Sequence, residues 1–391
     1  MKRCAILWLM IALPAGVPCE GEPFPQARSK TAKRPRLPKP RILDSGNLER
    51  DAATGELRSG PAHDPAETAA RPSKAIRSRV NLVEVSCTAL DGNDKPLKGL
   101  HAEDFRIFED GAEQRIAHFD ASTEPASIAV VMDASPSIYR ELREMRAAAR
   151  ALAEVLAPQD EIGVVAFSRE AHLLLPLTRD RALLERALQS PELARVANES
   201  TSNIYRAVYL TARDLLKGRS GRKAILLLTD GQDSGLGLNW NPASAGAQPG
   251  ETSGRLSFED VVRELAAEEI EVYAISTEPH PRSMTPAWLS ARRSNTLIAE
   301  ETRKAGVPIY TAYLAELVRR AGGQLFFLRE IGTLGDVYRC IAETLREQYV
   351  LGYYPVAGTS KPGWRALRVE LPGRNAALTY RVAYYVPASG K

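Results

Sequence analysis

Two aspartates and three hydroxyl-bearing positions stand where an all-oxygen site can assemble. A continuous apolar run, Ile128–Met132, ends in Asp133-Ala134-Ser135-Pro136-Ser137, a D-x-S-x-S sequence ahead of a helical pattern. A second apolar run ends in Leu228-Thr229-Asp230-Gly231. Between them, Ser200-Thr201-Ser202-Asn203-Ile204-Tyr205 is a hydroxyl-rich stretch that opens another helical pattern. In open α/β sheets, ligands bind beyond the carboxyl ends of the strands. Carboxylates and hydroxyls meeting there form a shell that suits a hard cation, and Mg²⁺ takes about six oxygens while keeping several waters. Enzymatic readings find less support. His63, His101, His118, His172 and His280 show no HExxH spacing, and the chain has neither a G-x-S-x-G elbow nor a Walker loop. Asp133 and Asp230 as paired acids remain a formal reading, but their hydroxyl-rich neighbours suit a metal better than proton transfer. No enzymatic activity is expected.

The elements that must position these residues follow a strand–helix–strand rhythm. Apolar runs at 128–132, 162–167, 224–228, 272–275 and 325–327 read as strands buried on both faces of a parallel sheet. Ile138, Leu142, Met145, Ala149, Leu152 and Leu156 recur at spacings of four and three and mark one apolar helix face. Further helices are expected near 181–188, 205–217, 258–268, 311–321 and 334–347. Ser257 and Asp260 read as a capping pair, and Gly322-Gly323 as a stop. The predicted fold class is α/β, a doubly wound, mainly parallel sheet with helices on both faces.

Short strands flank this unit. Val83, Val85, Cys87 and Ala89 alternate, and Glu109-Asp110-Gly111 is a hairpin signal between Phe105–Phe108 and Gln114–Phe119. Strands are also expected at 349–354, 364–371 and 378–386. Neither β segment, 77–120 or 347–391, is large enough to be stable alone, so the two are expected to pack into one composite β domain.

At 391 residues, with 52 Lys+Arg against 48 Asp+Glu, the net charge is only +4, which excludes a dominantly electrostatic nucleic-acid binder. Lys2 and Arg3 precede the apolar run Cys4–Ala15, which is too short for a membrane-spanning helix and has the layout of a signal peptide over residues 1–21. Lipid attachment at Cys19 is the alternative. Export implies an oxidising compartment. Cys87 reads as a buried small hydrophobe, with a Cys87–Cys340 bridge as the other reading. Residues 22–76 hold eight prolines and are read as a disordered linker. Seven basic residues and no acid fall between Arg28 and Arg41. That run is either a self-repelling tether or a contact for anionic lipid or envelope polymer.

The D-x-S-x-S and T-D-G segments, in this order on these elements, resemble the metal-ion-dependent adhesion site of the von Willebrand factor type A family. Pro158-Gln159-Asp160-Glu161-Ile162-Gly163, Phe167-Ser168 and Leu177-Thr178 agree, and the resemblance spans roughly 121–346. The flanks, Leu100-x-x-Glu103-Asp104-Phe105, Phe108-Glu109-Asp110-Gly111 and Gln348-Tyr349-x-Leu351-Gly352-Tyr353, resemble a secreted bacterial subgroup of it. The resemblance implies that Ser135 and Ser137 coordinate a metal and that Asp133 and Asp230 bind it directly or through water. The family's threonine falls at Ser202, judged from Ile204-Tyr205, with Thr201 as a one-residue-shifted alternative. The glycine usual before that threonine is absent.

The implied protein is an exported metal-dependent adhesion module. It would hold Mg²⁺, with Mn²⁺ or Ca²⁺ as alternatives, and take an Asp or Glu from a protein partner in a secreted, periplasmic or cell-envelope setting. A structural or assembly component of the envelope with a vestigial metal site is the competing reading. Two long loops, 232–256 and 278–310, leave the same side of the sheet. They carry Trp240 and Trp288, which are either partner anchors or packed against the domain.

Overall fold

A computed structural model of the chain describes residues 37–43, 48–50, 57–59, 82–92, 95–121, 124–134, 142–196, 201–235, 256–278, 306–328, 331–355 and 362–386. In chain order, a short strand β1 (Arg41–Ile42) is followed by the hairpin β2 (Leu48–Arg50) and β3 (Leu57–Ser59). Then come β4 (Val83–Leu90), β5 (Arg106–Glu109), β6 (Ala112–Gln114) and β7 (Ile116–Asp120). The α/β unit follows, with β8 (Ala126–Asp133), α1 (Leu142–Val155), β9 (Glu161–Phe167), β10 (Ala171–Thr178), α2 (Arg181–Leu188), α3 (Pro191–Val196), α4 (Ile204–Thr211), β11 (Arg222–Thr229), α5 (Phe258–Ala267), β12 (Ile270–Ser276), α6 (Ile309–Ala321), β13 (Leu325–Phe327) and α7 (Leu334–Arg346). The chain ends in β14 (Tyr349–Tyr353), β15 (Gly363–Glu370), β16 (Ala377–Tyr380) and β17 (Ala383–Val386).

The α/β unit is built on a seven-stranded sheet ordered β1-β10-β9-β8-β11-β12-β13. β9, β8, β11, β12 and β13 run parallel, and β10 and β1 close one edge antiparallel. Every residue of β8 is buried. Because side chains alternate across a strand, Ile128, Val130 and Met132 enter one core layer and Ala129 and Val131 the other. The first layer is closed by α1, α2, α3 and α7, the second by α4, α5 and α6. That double covering is why the strands read as unbroken apolar runs. Ser257 and Asp260 form the expected capping box at α5. Gly322 ends α6 in the left-handed region at φ 95°, and a side chain at Gly323 would strike the Val272 carbonyl, so the glycine pair lets the chain turn tightly into β13.

The flanking strands interleave in two four-stranded sheets, β16-β4-β14-β7 and β17-β15-β5-β6, each drawing on both sides of the α/β unit. Val83, Val85, Cys87 and Ala89 share a core with Ile107, Tyr349, Leu351, Tyr353, Leu367 and Val369. Full burial of a large apolar side chain contributes about 1.5–3 kcal/mol, and the two segments reach that core only together. Asp110 (φ 47°) and Gly111 (φ 87°) form the left-handed pair of the β5–β6 hairpin. The buried Glu109 accepts from the Tyr353 hydroxyl at 2.6 Å and the Tyr384 hydroxyl at 2.9 Å.

Three readings from sequence change. The part of residues 22–76 that is described is not disordered linker: β1 pairs with β10, and Leu43 and Leu48 are buried in the second layer. The strand expected over 378–386 breaks into β16 and β17, which serve opposite sheets. At the break, Arg381 turns to Glu269 (3.1 Å), and the Val382 amide donates to the Arg319 carbonyl beside Gly322. β10 and α3 are additional elements. The reading of Cys87 as a buried small hydrophobe holds, since it lies deep in the β core, and the alternative Cys87–Cys340 bridge is absent, both thiols being free.

The β domain is fastened to the amino-terminal edge of the parallel sheet. Arg222 donates to the carbonyls of Leu345 and Gln348, and the Gln348 amide donates to both oxygens of Glu271, at 2.8 and 2.7 Å. The Tyr273 hydroxyl donates to Glu271 at 2.8 Å. Nearby, Trp364 lies under the Arg320 guanidinium (4.2 Å) and against Tyr385. Burial pushes the Glu271 carboxyl from an ordinary 4.5 up to about 6, against the pull of Tyr273, Gln348 and Arg222.

Two outcomes are expected. The folded state holds a proton on Glu271 that the unfolded chain releases, so this group's contribution is present below about pH 4.5 and lost as pH rises through about 6. Denaturation across that window should show the wild type losing about 2 kcal/mol relative to Glu271→Gln. Both sheet neighbours of β4 come from beyond residue 348. A chain truncated after Glu347 should therefore lose hydrogen-exchange protection over 83–90 while retaining it in β8 and β11.

Candidate functional site

The site lies at the carboxyl edge of the parallel sheet, opposite the joint. Met132 is paired with Leu228, so Asp133 and Thr229 leave the sheet side by side. Thr229 is in turn paired with Ser276 in β12, and the Thr277 amide donates to the Thr229 carbonyl at 3.1 Å. Asp230 and Glu278 therefore emerge on adjacent strand ends. α4 brings in the third segment, since the Asn203 amide donates to the Ser168 carbonyl at 2.8 Å just beyond the end of β9.

Asp133 is 1% exposed. Its Oδ2 accepts from Ser202 Oγ and from Thr229 Oγ1, each at 3.0 Å. The Gly231 amide donates to Thr229 Oγ1 at 3.0 Å, and the Gln232 amide donates to Asp230 Oδ1 at 2.9 Å. Burial pushes the Asp230 carboxyl up despite that amide hydrogen bond. Burial and then the Asp230 charge push the Glu278 carboxyl up. The same two carboxylates, after burial, raise the phenol of Tyr310 at the start of α6. The described donors are carboxylates and hydroxyls, a set that fits a hard divalent cation and offers no soft ligand.

Of the residues singled out from sequence, Asp133, Ser202 and Asp230 are brought together here. Thr201 is half-buried, while Ser202 is the hydroxyl seated on Asp133, which favours the Ser202 register. Ser135, Ser137, Trp240 and Trp288 lie outside the described residues, as do the signal-peptide pattern of 1–21 and the basic residues 28–36. Three further participants were not singled out. Thr229 stood in the T-D-G motif but had no assigned role. Asp233, three residues past Asp230, is fully buried. Glu278 follows the strand next to that of Asp230. Their common signal is a polar residue within a few positions of a buried strand's carboxyl end.

An α/β sheet with helices on both faces and an oxygen-lined site at its carboxyl edge defines the class of domain. Residues 128–232 match the family model of the von Willebrand factor type A domain, and this stretch of the chain is such a domain. Domains of this family commonly bind a divalent metal and protein ligands. No curated protein matches the chain. Among solved structures, an aerotolerance-related membrane protein from Bacteroides fragilis is similar at 15% identity, TM-score 0.38, over 56% of this chain and 98% of that one. A von Willebrand factor type A protein from Catenulispora acidiphila is similar at 12% identity, TM-score 0.37, over 72% and 75%. Proximal thread matrix protein 1 of the mussel byssus, described with a zinc-occupied metal-ion-dependent adhesion motif, is similar at 17% identity, TM-score 0.34, over 56% and 48%.

Because Ser202 rather than Thr201 meets Asp133, Ser202→Ala should weaken Mn²⁺ binding roughly tenfold or more, on the scale of lost metal-site support. Thr201→Ala should leave it nearly unchanged. Isothermal titration calorimetry on the full chain reads both, and the reverse order would place the ligand one residue earlier.

Proposed function

We propose that this chain is an exported, non-enzymatic protein-binding module. In this reading Asp133, Ser135, Ser137, Ser202 and Asp230 hold a divalent cation, Mg²⁺ in the first instance. The observation that carries it is the meeting of two hydroxyls, Ser202 and Thr229, on the buried Asp133 carboxylate beside Asp230. A bound cation would supply the positive charge that lets a partner's Asp or Glu approach these carboxylates. The chain's own part is to orient Asp133 from two directions, to shield it from bulk water, and to keep the partly exposed Asp230 at the strand end.

Several features support this over catalysis. The described site holds neither a histidine nor a cysteine, and Asp133 is engaged by hydroxyls that donate to it rather than poised to move a proton. Export to a periplasmic or envelope setting is inferred from the Lys2-Arg3 start and the Cys4–Ala15 run. The basic stretch beginning at Arg28 suits contact with anionic lipid or envelope polymer. Among the described residues, no helix is long and apolar enough to cross a membrane.

The full chain should bind about one Mn²⁺ or Mg²⁺ by calorimetry. Asp133→Asn keeps the side-chain volume and should abolish that heat with the circular dichroism spectrum unchanged. Capture of a partner from envelope extract should be lost on adding chelator. Undiminished metal uptake by Asp133→Asn, or capture indifferent to chelator, would overturn the reading.

A further inference from the structure

Two of the proposed cation ligands ride on separate loops, Ser202 ahead of α4 and Asp230 after β11. A third acid, not a proposed ligand, links these two loops. Asp233 is fully buried, and its Oδ1 accepts the Tyr205 amide in the first turn of α4 at 3.4 Å. That turn lacks a local cap. Asn203 at the cap position makes no side-chain capping bond, and its Nδ2 donates instead to the Arg169 carbonyl at 2.7 Å. A helix's first amides need acceptors, and a carboxylate there also meets the positive end of the helix dipole. One residue on, the Ser234 amide donates to the Ser202 carbonyl at 2.7 Å. Gly235 lies so close that a side chain there would sit 3.0 Å from Asn203 Oδ1 and 3.5 Å from Asp233 Oδ2. The stretch 231–235 is therefore laid directly on the stretch that carries Ser202.

We infer that Asp233 is a positioning residue, a clamp that fixes the Ser202 hydroxyl relative to Asp230 by capping α4 from the neighbouring loop, and so sets how well the site takes a cation. This rests on the cation reading above, but its structural half stands independently. Supports one layer behind metal ligands typically change metal affinity by about 10–100-fold when removed.

Full-chain Asp233→Ala and Asp233→Asn separate the possibilities, with Mn²⁺ alone as the probe. Asp233→Ala should bind Mn²⁺ roughly tenfold more weakly. Asp233→Asn keeps an oxygen toward the Tyr205 amide and should recover most of the affinity. A double variant, Ser202→Ala with Asp233→Ala, should bind no more weakly than Ser202→Ala, because Asp233 acts through Ser202; a merely destabilising residue would add its penalty. Hydrogen exchange at the Tyr205 amide should accelerate in metal-free Asp233→Ala. If Asp233→Ala does not fold, Ser234→Pro removes the other strut's N–H and should show the same loss of affinity. Wild-type Mn²⁺ affinity in Asp233→Ala, additive penalties, or unchanged Tyr205 exchange would overturn the clamp. If the wild type itself takes up no Mn²⁺, the proposed function falls, and the Tyr205 exchange alone decides the clamp.

Discussion

Burying the Asp133 carboxylate at the end of the central strand is the constraint on which the site depends. A carboxylate taken out of water is unfavourable unless it is hydrogen-bonded or paired. Two donors meet that need on one oxygen, and they come from two other segments. Thr229 is delivered by the parallel pairing of β11 with β8, and Ser202 by the loop that crosses the end of β9. If β11 slipped by one residue, Thr229 would face the opposite side of the sheet and Asp133 would lose that donor. The geometry at the carboxyl edge is thus fixed by strand register set deep in the core, where Ile225, Leu226 and Leu227 are inaccessible.

The two edges of the same sheet do different work. Strands of seven or eight residues place the edges about 25 Å apart. The carboxyl edge gathers Asp133, Ser202, Asp230 and Glu278. The amino edge carries Arg222 and Glu271, which bind the β domain through Gln348. Those polar groups are buried and mutually satisfied, and they join the two domains without using the face that carries the site. The Arg320–Trp364–Tyr385 stack adds a second attachment, in which the indole face meets a guanidinium held at the same time by Glu259.

The β domain shows why an inserted unit does not break its host. β4 is paired on both sides by strands that arrive more than 250 residues later, and β15 is paired with β5 across a similar span. Such non-local pairing carries an entropic burden in closing long loops. The α/β unit reduces it: α7 runs directly into β14, and β7 feeds β8 after only a few residues, so the folded unit returns the two β segments to each other.

The alternation of Val83, Val85, Cys87 and Ala89, the doubly buried runs, the α5 capping box and the Gly322-Gly323 stop were all legible because each reflects local sterics or the exposure of one short segment. The order of D-x-S-x-S, hydroxyl stretch and T-D-G likewise placed Asp133, Ser202 and Asp230 at strand and helix ends. β10 was harder to see, because Pro176 interrupts its pattern and is accommodated by an irregular register at the sheet edge. β1 is two residues long and has no local signal at all; only the open edge of β10 makes it a strand. The break at Arg381 and the role of Asp233 belong to the same class, since each depends on what another segment presents, the end of α6 in one case and the first turn of α4 in the other. The amino-acid sequence by itself determined the doubly buried strands, the amphipathic helices and the main oxygen donors at their ends, because propensity and burial act over a few neighbours. Only the tertiary structure decided which hydroxyl meets Asp133 and which buried acid caps α4, because hydrogen-bond partners far apart in the chain are chosen by strand register and loop crossing.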